Sequence, residues 1–275
     1  MLKTCIKHEW KASWKTMTLL NGAALLMGGI GAIGMAAANH IHLPSPVVFL
    51  YFLVYVILLI SAVFATNFLM IQRYYKSLFS DEGYLTNVLP VTAHAQILSR
   101  MLVFAAWFLI DLFCVIGSIF ILLLPLYASA VPKVNWSEFF SVYEELSRSL
   151  GFANGAAMLI YVIIFCICSI FFAILEYYFS ISLGSLFSSH RVLAAVAIYI
   201  GFNTLMQFIS SFVMVGTATK FYSEAHTEID GISVTYQIAS GVHNALLVTL
   251  AITILLAIAF YFVSHYVLSK KLNLQ

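Results

Sequence analysis

Two carboxylates fall inside long apolar stretches of this 275-residue chain: Asp111 within LVFAAWFLIDLFCVIGSIF and Glu176 within FFAILEYYFS. A charged group near the centre of a bilayer costs at least about 2.5–3.5 kcal/mol on insertion scales, so each must face the protein interior. There it either lines a path or gate for a substrate or hydrogen-bonds two helices together. Asn203, Gln207 and Ser211 recur at i, i+4 and i+8 in another apolar stretch, and Asn203 and Gln207 join the two acids as candidates for a path or gate. Thr66, Asn67, Thr249 and Thr253 lie in further apolar stretches. Groups of this kind more often join helices, at about 0.6 kcal/mol each, than build a binding site.

Other chemistry is hard to assemble from these residues. Cys5 sits in the basic N-terminus, Cys114, Cys166 and Cys168 lie in apolar stretches, and the eight histidines are scattered. Cys166 and Cys168 point to different faces of a helix with no histidine nearby, so no metal site is expected. No H-E-x-x-H run and no G-x-x-x-x-G-K-[ST] phosphate loop occurs, so the chain has no motif for zinc hydrolysis or for hydrolysing ATP in the P-loop manner. No Ser/His, Cys/His or His/Glu set stands out for an intramembrane enzyme. The expectation is a protein that is not an enzyme and binds no cofactor of its own.

The elements that would position the acids follow from composition. The chain is 63% hydrophobic and 9% charged, against roughly 45–50% and about 25% in soluble proteins. Its apolar runs are continuous, not alternating, and reach the roughly 20 residues a helix needs to cross a bilayer. The reading is all-α: a polytopic membrane protein with six spans, at about 18–38, 47–71, 100–127, 153–183, 192–218 and 243–268. They form a single transmembrane domain over 1–275, divided into an interfacial helix at 1–17, spans 1 and 2 within 18–71, a polar segment at 72–98, spans 3 to 6 within 100–268 and a tail at 269–275. With the N-terminus inside, ten basic residues (Lys3, Lys7, Lys11, Lys15, Arg73, Lys76, Arg100, Arg191, Lys270, Lys271) fall on the cytoplasmic side and three (Lys133, Arg148, Lys220) outside. That bias predicts both termini in the cytoplasm of a cell-membrane protein.

Residues 2–17 do not resemble a cleaved signal peptide. Leu2, Ile6, Trp10, Ser13, Trp14 and Met17 gather on one side of a helix, with Lys3, Lys7, Lys11 and Lys15 on the other. This predicts an amphipathic helix in the membrane interface, its lysines towards anionic lipid or a protein. Span 1 carries Ala24, Gly28, Ala32 and Ala36 every four residues, a small-residue face for close helix packing or for a dimer. The segment 129–152, with Trp136, Phe139, Phe140 and Tyr143 among Glu138, Glu144, Glu145 and Arg148, reads as a second amphipathic helix, on the outer surface.

The run Phe79-Ser80-Asp81-Glu82-Gly83-Tyr84-Leu85-Thr86-Asn87-Val88-Leu89-Pro90-Val91, followed by Gln96-Ile97-Leu98-Ser99-Arg100, brings these features together. Its acid, Tyr-Leu pair and Leu-Pro resemble the cytoplasmic segment between spans 2 and 3 of type-2 ATP-binding-cassette (ABC) permeases of bacterial exporters. The turn Ser182-Leu183-Gly184-Ser185-Leu186-Phe187 before His190-Arg191 is similar to that family's turn from span 4 into span 5. The layout covers the whole chain, and the local motifs about thirty residues. The resemblance implies a permease half that forms its path as a dimer, with a second copy or a related permease. Two separate ATPase subunits that use ATP and magnesium would drive it. It also implies a coupling helix at 72–98 in which Asp81, Glu82, Tyr84, Leu85 and Leu89 dock on the ATPase. Ser80 suits that helix's start, Pro90 its end and Thr92 the cap of the next. In the family, spans 1 and 5 form the dimer seam. Two departures stand out: residues 219–242 are short and polar where many members have a re-entrant hairpin, and no large outer domain serves a periplasmic stalk.

No nucleic-acid partner is expected; the surrounding partner is the lipid bilayer. The alternative is an ion-coupled secondary carrier, or a substrate-specific membrane component, working through Asp111 and Glu176. The mixed aromatic, small and weakly polar spans suit a hydrophobic or amphipathic cargo.

Overall fold

The computed structural model describes residues 2–38, 44–79, 92–130, 135–187, 190–225 and 231–270. These form seven helices: α1 (Leu2–Ala38), α2 (Ser45–Phe79), α3 (Ala93–Ala130), α4 (Trp136–Ser149), α5 (Gly155–Gly184), α6 (Arg191–Ala225) and α7 (Gly231–Lys270). All but α4 are long and apolar enough to cross a membrane. Within them Phe64 is 72% exposed, Phe212 74% and Leu255 67%. Such rings and aliphatic chains, bared along whole helices, need lipid around them. The protein is an all-helical, multi-pass membrane protein.

The helices outrun the spans read from hydropathy. At 1.5 Å per residue, the 37 residues of α1 extend about 55 Å. Residues 2–17 are not a separate element: α1 runs unbroken from Leu2 to Ala38. The polar stretch 219–242 is likewise largely helical, shared between the end of α6 and the start of α7. α3 begins at Ala93, seven residues before the expected span, where the Thr92 hydroxyl accepts a hydrogen bond from the Ala95 amide at 3.3 Å.

The chain divides into two compact units, one holding α1–α3 and the other α4–α7. In the first, α1 lies along α3. Its buried line is Ser13, Met17, Asn21, Ala24, Gly28 and Gly31, spaced four, four, three, four and three residues apart, the repeat of a helix seam. Gly28 is required there, because a Cβ would sit 2.6 Å from the Ser118 carbonyl oxygen. Tyr55 bonds the Ser118 hydroxyl at 2.9 Å, and Tyr51 donates to the Met27 carbonyl, so α2 is fastened to both.

In the second unit α5 packs against α6 and α7. The Phe260 ring of α7 lies 5.6, 4.5 and 5.0 Å from the rings of Phe172, Phe179 and Phe202. The corner between α4 and α5 is a Schellman turn: Gly151, at φ 80°, donates to Arg148 O at 3.0 Å and Phe152 to Ser147 O at 2.9 Å. Asn154 then caps α5 by accepting from the Ala157 amide at 2.8 Å. At the far end of α5, Ser185 and Leu186 form the small-residue turn. A Cβ on Gly184 would meet the backbone of Ala195 at 2.6 Å, so only glycine lets α5 and α6 approach this closely.

Candidate functional site

At the lysine-rich end of the first unit, Glu9 joins three helices. Its Oε2 accepts from Arg73 Nε of α2 at 2.8 Å, and its Oε1 lies 3.3 Å from Arg100 Nε of α3. Arg100 is 4% exposed at its side chain and Arg73 29%, against 13% for Glu9. Arg100 also donates to the Gln96 carbonyl at 3.1 Å, which fixes the guanidinium along its own helix. Next to the acid, Ser13 donates to the Glu9 carbonyl at 3.0 Å and accepts from Trp107 Nε1 at 3.0 Å. Trp10 stacks on Trp107 with ring centroids 4.6 Å apart. The apolar side of residues 2–17 is therefore largely spent on α3; Trp14, 45% exposed, stays free for lipid.

The sequence reading passed over Glu9. Its one signal is position: Glu9, Ser13 and Met17 follow one another at four-residue steps, so the acid lies on the buried side of α1 and not among the lysines. An acid on that side needs a cationic partner, and Arg73 and Arg100 are the basic residues that α2 and α3 bring to it.

Deeper in the same unit, Asp111 is buried at 5% exposure near the middle of α3. Thr66 of α2 and Asn21 of α1 are its polar neighbours. Neither completes the site, since Asp111 Oδ1 and Thr66 Oγ1 both end without an aligned hydrogen bond among the described residues. Asn21 instead donates to the Met17 carbonyl at 3.1 Å.

In the second unit the structure joins two residues that the sequence had only placed in the same class. Asn203 Nδ2 of α6 donates to Glu176 Oε1 of α5 at 2.6 Å and also to the Tyr199 carbonyl at 3.0 Å. Glu176 is 6% exposed. The rings of Tyr177 and Tyr199 pack at 5.3 Å beside them, so the polar contact has an aromatic flank. Gln207, one turn further along α6, is exposed, and Ser211 donates back to its carbonyl at 2.8 Å.

Of the small residues on span 1, Ala24 and Gly28 lie buried in the seam with α3, Ala32 is half-buried and Ala36 is exposed. Asp81, Glu82, Tyr84, Leu85 and Leu89 lie outside the described residues; α2 ends at Phe79 and α3 begins at Ala93, on either side of them. Among the described residues, no three of His, Cys, Asp and Glu lie close enough together to hold a metal ion.

No protein-family model, curated protein or solved structure matches the chain. What its helices define is a class, the six-span all-α membrane protein.

Proposed function

We propose that this chain is the membrane-spanning permease half of an ABC exporter. It lies in the cell membrane with both termini in the cytoplasm and forms its path as a dimer with a second copy or a related permease. Two separate ATPase subunits, using ATP and magnesium, drive it. The chain itself hydrolyses nothing and binds no cofactor. Residues 80–90 dock on the ATPase through Tyr84, Leu85 and Leu89, with Asp81 and Glu82 against basic residues of that partner.

The observation that carries this reading is the Glu9 bridge. A stroke delivered to residues 80–91 enters α2 at its last turns and α3 at its first. Arg73 lies six residues before the end of α2, Arg100 seven residues after the start of α3, and Glu9 ties both to α1. Three helices thus receive the push as one body. In the second unit Glu176, Asn203 and Gln207 are the residues assigned to the path or gate. A small coupling surface concentrates its energy in few anchors. Tyr84→Ala, or Asp81 and Glu82 both changed to Lys, therefore leaves the six spans inserted and lowers affinity for the ATPase by about 2 kcal/mol, roughly thirtyfold. Co-purification of the ATPase with each variant tests it; wild-type recovery with both moves the docking surface elsewhere.

One observation favours the second reading, an ion-coupled carrier: Asp111 holds a buried oxygen without an aligned partner among the described residues. Transport that persists without any ATPase and collapses with the ion gradient selects that reading.

A further inference from the structure

Asn21, Thr66 and Asp111 bring one polar side chain each from α1, α2 and α3 to a single place in the first unit. All three are more than nine-tenths buried, at 6%, 1% and 5% exposure. Thr66 behaves unlike other threonines of the spans. Thr204, Thr249 and Thr253 each donate to the carbonyl four residues earlier, at 2.8, 2.8 and 2.9 Å. The Thr66 hydroxyl makes no such bond to Ala62 and is left bare beside the acid. Asp111 Oδ1 is bare as well among the described residues. Asn21 donates through Nδ2 to the Met17 carbonyl at 3.1 Å, and its amide oxygen takes no hydrogen bond among the described residues.

Neighbouring oxygens that share no proton are costly to bury. A hydrogen bond from a protonated carboxyl or from the threonine would draw the pair together. A cation holds the same oxygens differently. Around an ion of calcium's size each oxygen stands about 2.3–2.6 Å from the metal, so two of them lie further apart than hydrogen-bonded oxygens do. The one carboxylate supplies one negative charge, which a monovalent ion balances. Among the described residues no cluster of acids and histidines suits a divalent metal. Sodium is the monovalent ion of that size. We propose that Asp111, Thr66 and Asn21 form a sodium site that ties α1, α2 and α3 together. Water completes the coordination, as hard ions with few protein ligands retain it. Two turns further along α1, Gly28 brings that helix against the α3 backbone; so narrow a seam favours sodium over the larger potassium. The site rests on neither transport reading. Bound sodium steadies the three helices in an ATPase-driven permease and in a carrier alike.

The test uses the full-length chain in maltoside micelles at constant pH and ionic strength, with sodium chloride exchanged stepwise for choline chloride. Radioactive sodium is counted by scintillation proximity, and the melting temperature is followed alongside. The variants are Asp111→Asn, which keeps the shape and removes the charge, Thr66→Val, which keeps the shape and removes the hydroxyl, and Thr66→Ser, which keeps the hydroxyl. The expected result is saturable sodium binding and a melting temperature that rises with sodium, less with potassium and not with choline. Asp111→Asn abolishes both responses. Thr66→Val weakens binding about tenfold, the effect of losing one oxygen on a charged ligand, and Thr66→Ser stays within about twofold of the wild type. If Asp111→Asn does not fold, the two Thr66 variants decide, because both keep the acid. The proposal is overturned by the absence of saturable sodium binding, or by binding that Thr66→Val or a folded Asp111→Asn leaves unchanged. Melting that follows pH and ignores sodium also overturns it, and assigns a proton to Asp111 instead.

Discussion

Glu9 and Glu176 are the same residue type, largely buried in different units, and they are held in opposite ways. Glu9 meets two guanidinium groups and links three helices; Glu176 meets one neutral amide and links two. Removing Glu9 leaves two cations facing one another, one of them almost fully buried. Removing the charge of Glu176 leaves no charge behind, because the Asn203 amide can donate or accept and so serves either form of the carboxyl. The first acid is a fastener. The second sits where a change of state costs the structure little, as a gate or path residue requires.

The largest expected effect tests the fastener. Glu9→Ala strands Arg100 in the interior and destabilises the protein by about 3–5 kcal/mol, seen as an early melting transition in detergent. Arg73→Ala costs less, about 1 kcal/mol, because that side chain is 29% exposed. Equal losses from the two substitutions would deny Glu9 its bridging role.

An intermediate effect comes from the seam that holds Glu9 in place. Gly28→Ala forces a methyl against the Ser118 carbonyl oxygen at 2.6 Å and costs about 1–3 kcal/mol as an overpacked contact. Gly29→Ala, with nothing within 4 Å, is its control and stays near wild type. A similar loss at both positions would mean that α1 does not lie against α3 through Gly28.

The smallest structural effect belongs to the second acid. Asn203→Ala removes one interhelical hydrogen bond and costs about 0.6 kcal/mol, and Glu176→Gln costs no more. Transport should nevertheless fall in Glu176→Gln. Unchanged transport by a normally assembled variant makes Glu176 a packing residue, and the contrast with Glu9 then concerns stability alone.

Much of the fold was legible because lipid leaves few choices. Continuous apolar runs gave six spans, the Thr92 cap could be read from the residue type, the turn at Ser185–Leu186 came only with the family resemblance, and Asp111 and Glu176 stood out as acids where acids are costly. Helix ends were less legible, since hydropathy marks where apolar side chains stop and not where backbone hydrogen bonding does. α1 and α3 therefore continue well into polar sequence. The pairing of Glu176 with Asn203 lies 27 residues apart and depends on how α5 meets α6, which no local pattern encodes. Glu9 was hidden by its neighbours: the four lysines and the apolar stripe of the same helix carry its amphipathic pattern without it, while its own four-residue step to Ser13 and Met17 points inward.

The central claim, a permease moved by a separate motor, is tested most directly by ATP turnover of the purified chain, alone and in complex with its ATPase subunit, for the wild type and Tyr84→Ala. The account predicts background turnover from the chain alone, clear turnover from the complex, and loss of that complex or of its substrate-stimulated turnover in Tyr84→Ala. ATP hydrolysis by the isolated chain, or transport that proceeds with no ATPase present, would contradict it.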